Sequence, residues 1–215
     1  MDKMNAAERS EQLKEIQTAV GRMTQMMTDF LAYGNCTGGK MECKPARVEV
    51  EALCRRLILE VPDYPGRSCL IECDVDPAVG ETLLDEKIIR HVLSNLLSNA
   101  VKYSSGGQPV KLGVRRVAGS LQTNGGPALA SEAHIEFKVS DSGIGIPAGD
   151  LAKLYQTFHR AANVGNRPGT GMGLAIVKQF VDSHRGTIRF ESEEGKGTTV
   201  WVELPIAAPA STVES

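Results

Sequence analysis

Asn95, Asn99, Lys102 and Tyr103 stand at i, i+4, i+7 and i+8 in the stretch Asn95-Leu-Leu-Ser-Asn99-Ala-Val-Lys102-Tyr103. On a helix they share one face while the leucines turn to the other. Amide oxygens followed by a lysine suit a hydrated Mg²⁺, which takes one or two hard oxygen ligands from protein, with the ammonium beside a phosphate. A solvent-facing polar stripe would show the same spacing. A second stretch, Asp141-Ser-Gly143-Ile-Gly145-Ile146-Pro147, places a carboxylate at a strand end, where it can accept a hydrogen bond from an exocyclic amine. Its glycines permit turns and close approach, although Asp-x-Gly-x-Gly is also common in ordinary turns. The third, Gly169-Thr170-Gly171-Met172-Gly173-Leu174, opens an apolar-periodic segment. Backbone N–H groups bared by glycine at a helix start form an anion site. No Lys-Ser/Thr follows these glycines, so the stretch is not a P-loop. No βαβ unit with an acidic residue some 20 positions on accompanies it, which argues against a dinucleotide fold.

The elements that must position these residues read as mixed α and β. Apolar periodicity predicts helices over Glu49–Glu60, Asp85–Tyr103, Gly149–Gln156 and Met172–His184. Alternation predicts strands over Ser68–Val75, Val110–Val117 and His134–Ser140. A closing hairpin, Thr187–Ser192 and Thr198–Leu204, turns through Glu193–Gly197, with Val200, Val202 and Leu204 inward and Trp201 on the opposite face. The loop Ala118–Ala133 is long and rich in Gly, Ala and Ser. Ahead of all this, Leu13, Ile16, Val20, Met23, Met27 and Phe30 are spaced 3, 4, 3, 4, 3, the seam of a coiled coil or helical bundle. The expected organisation is a dimerisation-type amphipathic helix over 1–36, a linker over 37–47, a ligand-binding domain over 48–206 and a tail over 207–215.

Composition narrows the partners. With 24 basic and 26 acidic residues the net charge is -2 and the basic residues are scattered, which disfavours nucleic acid. No apolar run approaches the roughly 20 residues that cross a bilayer and no signal peptide is evident, so the expectation is a cytoplasmic chain, any membrane anchor lying outside it. Five cysteines (36, 43, 54, 69 and 73) form no zinc-ligand pattern and read as reduced thiols; Cys69 and Cys73 lie too far apart along one strand to bridge easily.

Together these stretches resemble the boxes of sensor histidine kinases: Asn95–Tyr103 the N box, Asp141–Pro147 the G1 box and Gly169–Leu174 the G2 box. Tyr155-Gln-Thr-Phe158-His-Arg160 is similar to the F box between them. The resemblance covers about residues 48–205 and implies the α+β Bergerat sandwich, a mixed, mostly antiparallel sheet covered by helices. Type II topoisomerases, Hsp90-type chaperones and MutL-type repair proteins share it. It also implies ATP and Mg²⁺ as cofactors, with Asn99 ligating the metal and Asn95 assisting. Lys102 would touch phosphate and Tyr103 pack by the nucleotide. Asp141 would receive the adenine amine in a pocket shaped by Gly143, Gly145 and Ile146. Phe158 would anchor the lid Arg160–Pro168, and Arg160 would approach the terminal phosphates. Gly169, Thr170, Gly171, Met172, Gly173 and Leu174 would wrap those phosphates, and Thr198 would support Asp141.

Hydrolytic relatives carry a glutamate one turn before the metal asparagine; here the position is Asn95, which cannot act as a general base. The expected reaction is therefore phosphoryl transfer to a side chain, with Asn95, Asn99, Lys102 and Arg160 as the catalytic set. None of His91, His134, His159 and His184 has the acceptor motif, and His91 reads as a helix-surface residue. The resemblance implies an acceptor histidine on a first dimerisation helix outside this sequence, a homodimer in the full-length protein, and a response-regulator receiver domain as partner. A nucleotide-binding regulatory module and a serine/threonine kinase of the same superfamily are the alternatives.

Overall fold

In the computed structural model, the described residues are 44–62, 64, 69–104, 107–118, 133–165, 167 and 169–206, with a set of helical residues between Arg9 and Gly34. The tail 207–215, most of the loop read between the two central strands, and residues 37–43 of the expected linker lie outside them.

The elements run β1 (Ala46–Glu49), α1 (Val50–Leu59), β2 (Ile71–Val75), β3 (Glu81–Leu84), α2 (Glu86–Tyr103), β4 (Val110–Ala118), β5 (Ala133–Asp141), α3 (Ala148–Leu151), a 3₁₀ turn (Ala162–Val164), α4 (Gly173–Ser183), β6 (Thr187–Glu193) and β7 (Gly197–Pro205). Five strands form one sheet in the order β2-β4-β5-β7-β6. Only the β2–β4 pair is parallel; the other three are antiparallel. A separate two-stranded sheet pairs β1 with β3. The architecture is thus the mixed, mostly antiparallel α+β sandwich expected.

Helix α2 forms because its apolar residues recur on one stripe and its start is capped. Ile88, Ile89, Val92, Leu93, Leu96 and Leu97 are all at most 2% exposed. At the N-cap, Asp85 accepts from the backbone N–H of Lys87 at 3.0 Å and Ile88 at 3.4 Å, satisfying donors that a helix start leaves open. Its other oxygen accepts from Lys44 N–H at 2.9 Å, so one carboxylate also fixes the incoming chain. In β5 and β7, Ile135, Phe137 and Val139 join Val200, Val202 and Leu204 in the core beneath the helices. Trp201 lies on the other face, as its alternation requires. It is covered by cations, with the Arg189 guanidinium 3.7 Å and the Lys138 ammonium 5.3 Å from its ring centroid.

Several boundaries differ from the sequence reading. β1 begins within the stretch read as linker, because Val48 is a core residue and pairs its strand with β3. Neither β1 nor β3 was foreseen; four residues are too few to show alternation. The helix expected over Gly149–Gln156 is a single turn, Ala148–Leu151, followed by turns to Phe158. His91 is half-buried rather than on the surface: its ring stacks on Phe180 at 4.9 Å and 8°, tying α2 to α4. Between Arg9 and Gly34, the seam residues Leu13, Ile16, Val20, Met23, Met27 and Phe30 are helical and 56–67% exposed.

Candidate functional site

The C-terminal half of α2, the loop after β5, and the approach to α4 surround a cavity of about 580 Å³. Asn95, Asn99, Lys102 and Tyr103 line it from α2. Asp141, Gly145 and Ile146 close one end, Thr198 stands on the adjoining strand, and Arg160, Gly169, Thr170, Gly171, Gly173 and Leu174 line the other side. Residues far apart in sequence thus meet around one volume, in part because the antiparallel register sets Asp141 opposite Thr198.

Asp141 is half-buried in the cavity wall. Burial pushes its carboxyl up to about 6, against the opposing pull of backbone N–H donors from Gly143 and Thr198. The Gly143 N–H donates to Asp141 Oδ1 at 2.8 Å. The threonine's support for this aspartate therefore runs through its backbone, while its hydroxyl pairs with Ser192 at 2.8 Å. Ser192 Oγ also accepts from the Ile146 N–H at 2.9 Å, which fixes the loop behind the carboxylate. Gly145 has φ +62°, and a Cβ there would stand 2.0 Å from the Glu193 carbonyl oxygen. It is glycine so that the chain can turn here and the β5 loop can pack on the β6–β7 turn, the close approach being to backbone.

The other end is cationic. Lys102 is only 8% exposed, and its ammonium lies 4.5 Å from the Tyr103 ring centroid. Burial first, then repulsion from Arg160 and Arg167, lowers its amine to about 8. Arg160 is held by donating to the carbonyls of Gly165 at 3.1 Å and Arg167 at 2.5 Å. Lys102 and Arg160 in the wall, Arg167 nearby with its guanidinium 5.9 Å from the Tyr103 ring centroid, and backbone from Gly169 to Gly173 at the start of α4 make an anion site. Asn95 donates from Nδ2 to the His91 carbonyl at 3.0 Å, which turns its oxygen toward α4. A Cβ on Gly173 would come within 2.6 Å of Asn95 Oδ1, so the glycine lets the two elements close. The amide oxygens of Asn95 and Asn99 fit a hard divalent cation that keeps most of its waters.

Three expected residues are not in the cavity wall. Phe158 is 70% exposed; with φ +65° it points outward, while its N–H donates to the Gly171 carbonyl at 3.0 Å. It ties F box to G2 box by backbone, not by its ring. Met172 is 4% exposed in the core, and its N–H donates to Thr170 Oγ1 at 3.2 Å. Gly143 pairs as an isolated bridge with Ser104. Tyr155 packs edge-on against Phe190 at 5.9 Å, anchoring the segment that precedes the lid. Of the expected lid, residues 166 and 168 lie outside the described ones.

Other wall residues went unforeseen. Ser94 and Ser98 line the cavity beside the asparagines, and Glu60, Pro62 and Tyr64 come from the chain after α1. Tyr64 Oη lies 2.7 Å from Ser98 Oγ. The serines stand i, i+4 on α2, beside the asparagines, whereas Tyr64 follows α1 in a proline-containing stretch that shows no period. His159, 3.2 Å from Asp150 Oδ1, also reaches the cavity.

A half-buried carboxylate, amides and cations around one cavity, and a Bergerat-type sandwich that holds them, define an ATP-binding module. Residues 84–208 match the family described as histidine kinase-, DNA gyrase B- and HSP90-like ATPases. The chain belongs to this family, as the ATP-binding catalytic domain of a sensor histidine kinase. It is 31% identical over 188 residues to the virulence sensor protein BvgS of Bordetella bronchiseptica, covering 85% of this chain and 14% of that protein. It is 40% identical over 147 residues to the sensor histidine kinase WalK of Bacillus subtilis, covering 67% of this chain and 20% of that one. Among solved structures, full-length ShkA in complex with AMPPNP superposes with a TM-score of 0.72 at 25% identity, over 98% of this chain and 41% of that chain. The chain therefore spans less than half the length of these relatives.

Proposed function

We propose that this chain binds Mg-ATP and transfers the γ-phosphoryl group to a histidine on a dimerisation helix outside these 215 residues. The observation that carries the reading is the composition of the cavity wall, with the half-buried carboxylate of Asp141 and the cations Lys102 and Arg160 lining the same volume and Arg167 close enough to repel the Lys102 ammonium. Asp141 accepts the adenine amine, and Lys102 and Arg160 neutralise the triphosphate. Asn99, with Asn95 beside it, holds Mg²⁺, which when bound offsets charge on the phosphate oxygens. The acceptor imidazole nitrogen attacks the γ-phosphorus as its bond to the bridging oxygen breaks, and ADP departs. The residue one turn before Asn99 is the amide Asn95, which cannot activate water, and of the wall's carboxylates Asp141 accepts the adenine amine and Glu60 is paired with Arg90 at 2.7 Å, which favours transfer over hydrolysis.

The amino-terminal seam supplies a surface for pairing with a partner helix in a homodimer, and a receiver domain is the onward phosphoryl acceptor. Among the described residues no helix is long and apolar enough to cross a membrane; we place the domain in the cytoplasm. The test is incubation with γ-labelled ATP and a separately made dimerisation hairpin carrying an acceptor histidine. Acid-labile, base-stable label on the hairpin is expected. Acid-stable label would show a serine/threonine kinase, and ATP binding without label a regulatory module.

A further inference from the structure

The 3₁₀ turn Ala162–Val164, at the start of the expected lid, has three residues, too few to persist without outside anchors. Its first residue is held from α3, where Asp150 Oδ2 accepts from the Ala162 N–H at 2.9 Å while Oδ1 stands 3.2 Å from His159 Nε2. Its middle residue reaches the other way. Asn163 donates from Nδ2 to the carbonyls of Gly145 at 3.1 Å and Ile144 at 3.4 Å, in the loop that follows Asp141. The Asn163 Oδ1 is shielded from solvent and accepts no hydrogen bond among the described residues, so the side chain is placed for its donors. Ala161 and Val164, which flank the anchored pair, line the nucleotide cavity together with Ile144 and Gly145. We propose that Asn163, with Asp150 at the start of the same turn, is a positioning residue for the nucleotide. It latches the beginning of the lid to the loop after Asp141 and so keeps Ala161 and Val164 in the cavity wall.

The chemistry of the amide explains the residue type. The Ile144 N–H is already spent on the Tyr103 carbonyl at 3.2 Å, and the Ile144 carbonyl accepts from the Gly195 N–H at 2.8 Å. A carbonyl oxygen has room for a second donor, and an amide nitrogen carries two, so one asparagine serves both oxygens at once. A carboxylate of the same shape would instead set its charge against two carbonyl oxygens. The loop is thereby fastened to the end of α2 through Tyr103, to the β6–β7 turn through Gly195, and to the lid through Asn163. These contacts fall beside Asp141, which receives the adenine amine, and not on Lys102 or Arg160. The latch therefore acts on what ADP and ATP share rather than on the γ-phosphate. The role rests on the reading of the cavity as an ATP site.

The test is titration calorimetry of the full 215-residue chain with Mg-ADP and with Mg-AMPPNP. Asn163→Asp should weaken both about tenfold, with the ratio of the two affinities and the far-ultraviolet dichroism those of the parent. Asn163→Ala, measured beside it, gives the same reading should the new charge disturb folding. Asp150→Ala should act alike from the other end of the turn. Because both residues work through that turn, the double variant should lose no more than about twofold beyond either single one. Parent-like affinity in both Asn163 variants, losses that multiply in the double variant, or a loss confined to Mg-AMPPNP would overturn the role and leave the ATP site standing. A parent chain that binds neither nucleotide would overturn the site and the role together.

Discussion

Two titrating residues separate the ends of the site, and each makes a prediction. Burial raises Asp141 to about 6, so between the ordinary carboxylate range and pH 6 the folded chain binds more protons here than the unfolded one. This residue's contribution therefore favours folding as pH falls through that window and opposes it above. The ionised form is the one that accepts an amine, so nucleotide affinity should drop below about pH 6, as titration calorimetry can follow. Asp141→Asn should lose affinity on the order of a hundredfold without losing thermal stability. Lys102 is lowered to about 8, so here the unfolded state holds more protons between pH 8 and the ordinary lysine range, and stability rises with pH across it. Bound phosphate should return the proton: near pH 8, calorimetry in buffers of differing ionisation enthalpy should show net proton uptake on nucleotide binding. Lys102→Arg should abolish that uptake.

At the scale of elements, the cavity depends on how α2 and α4 approach each other and how each begins. Asp85 holds the start of α2 and the Lys44 backbone at once. Asp85→Ala should cost about 1–2 kcal/mol in chemical denaturation, with an unchanged dependence on denaturant. The start of α4 closes on Asn95, leaving no room for a methyl group at residue 173. Gly173→Ala should weaken nucleotide binding about tenfold while the far-ultraviolet dichroism stays that of the parent; unchanged affinity would mean the two helices need not meet so closely. The sequence signalled these elements unevenly. α2 and α4 carry long apolar stripes and were legible to within two residues at each end. β1 and β3 are too short to show a period, and the turn Ala148–Leu151 borrowed its apparent helical pattern from residues that instead pack singly, such as Tyr155 on Phe190.

For the molecule as a whole, the seam residues Leu13, Ile16, Val20, Met23, Met27 and Phe30 are each more than half exposed. A seam of this length calls for a second helix. Sedimentation at increasing concentration should show self-association, and Val20→Glu should return the chain to monomer while leaving nucleotide affinity unchanged. A monomer at every concentration would mean that the seam is covered in another way.

The order and spacing of the asparagine and glycine boxes were enough, from sequence alone, to indicate the family and the sandwich, and to single out residues most of which line the cavity. Those features are local, since a helical face or a glycine-rich helix start is set by residues a few positions apart. Tertiary structure decided what depends on distant partners. It turned Phe158 outward and gave the support of Asp141 to the Thr198 backbone. It brought Tyr64 to the cavity and stacked His91 of α2 on Phe180 of α4. No spacing in the chain encodes such meetings, because they follow from how α1 lies on the sheet and how β5 registers with β7.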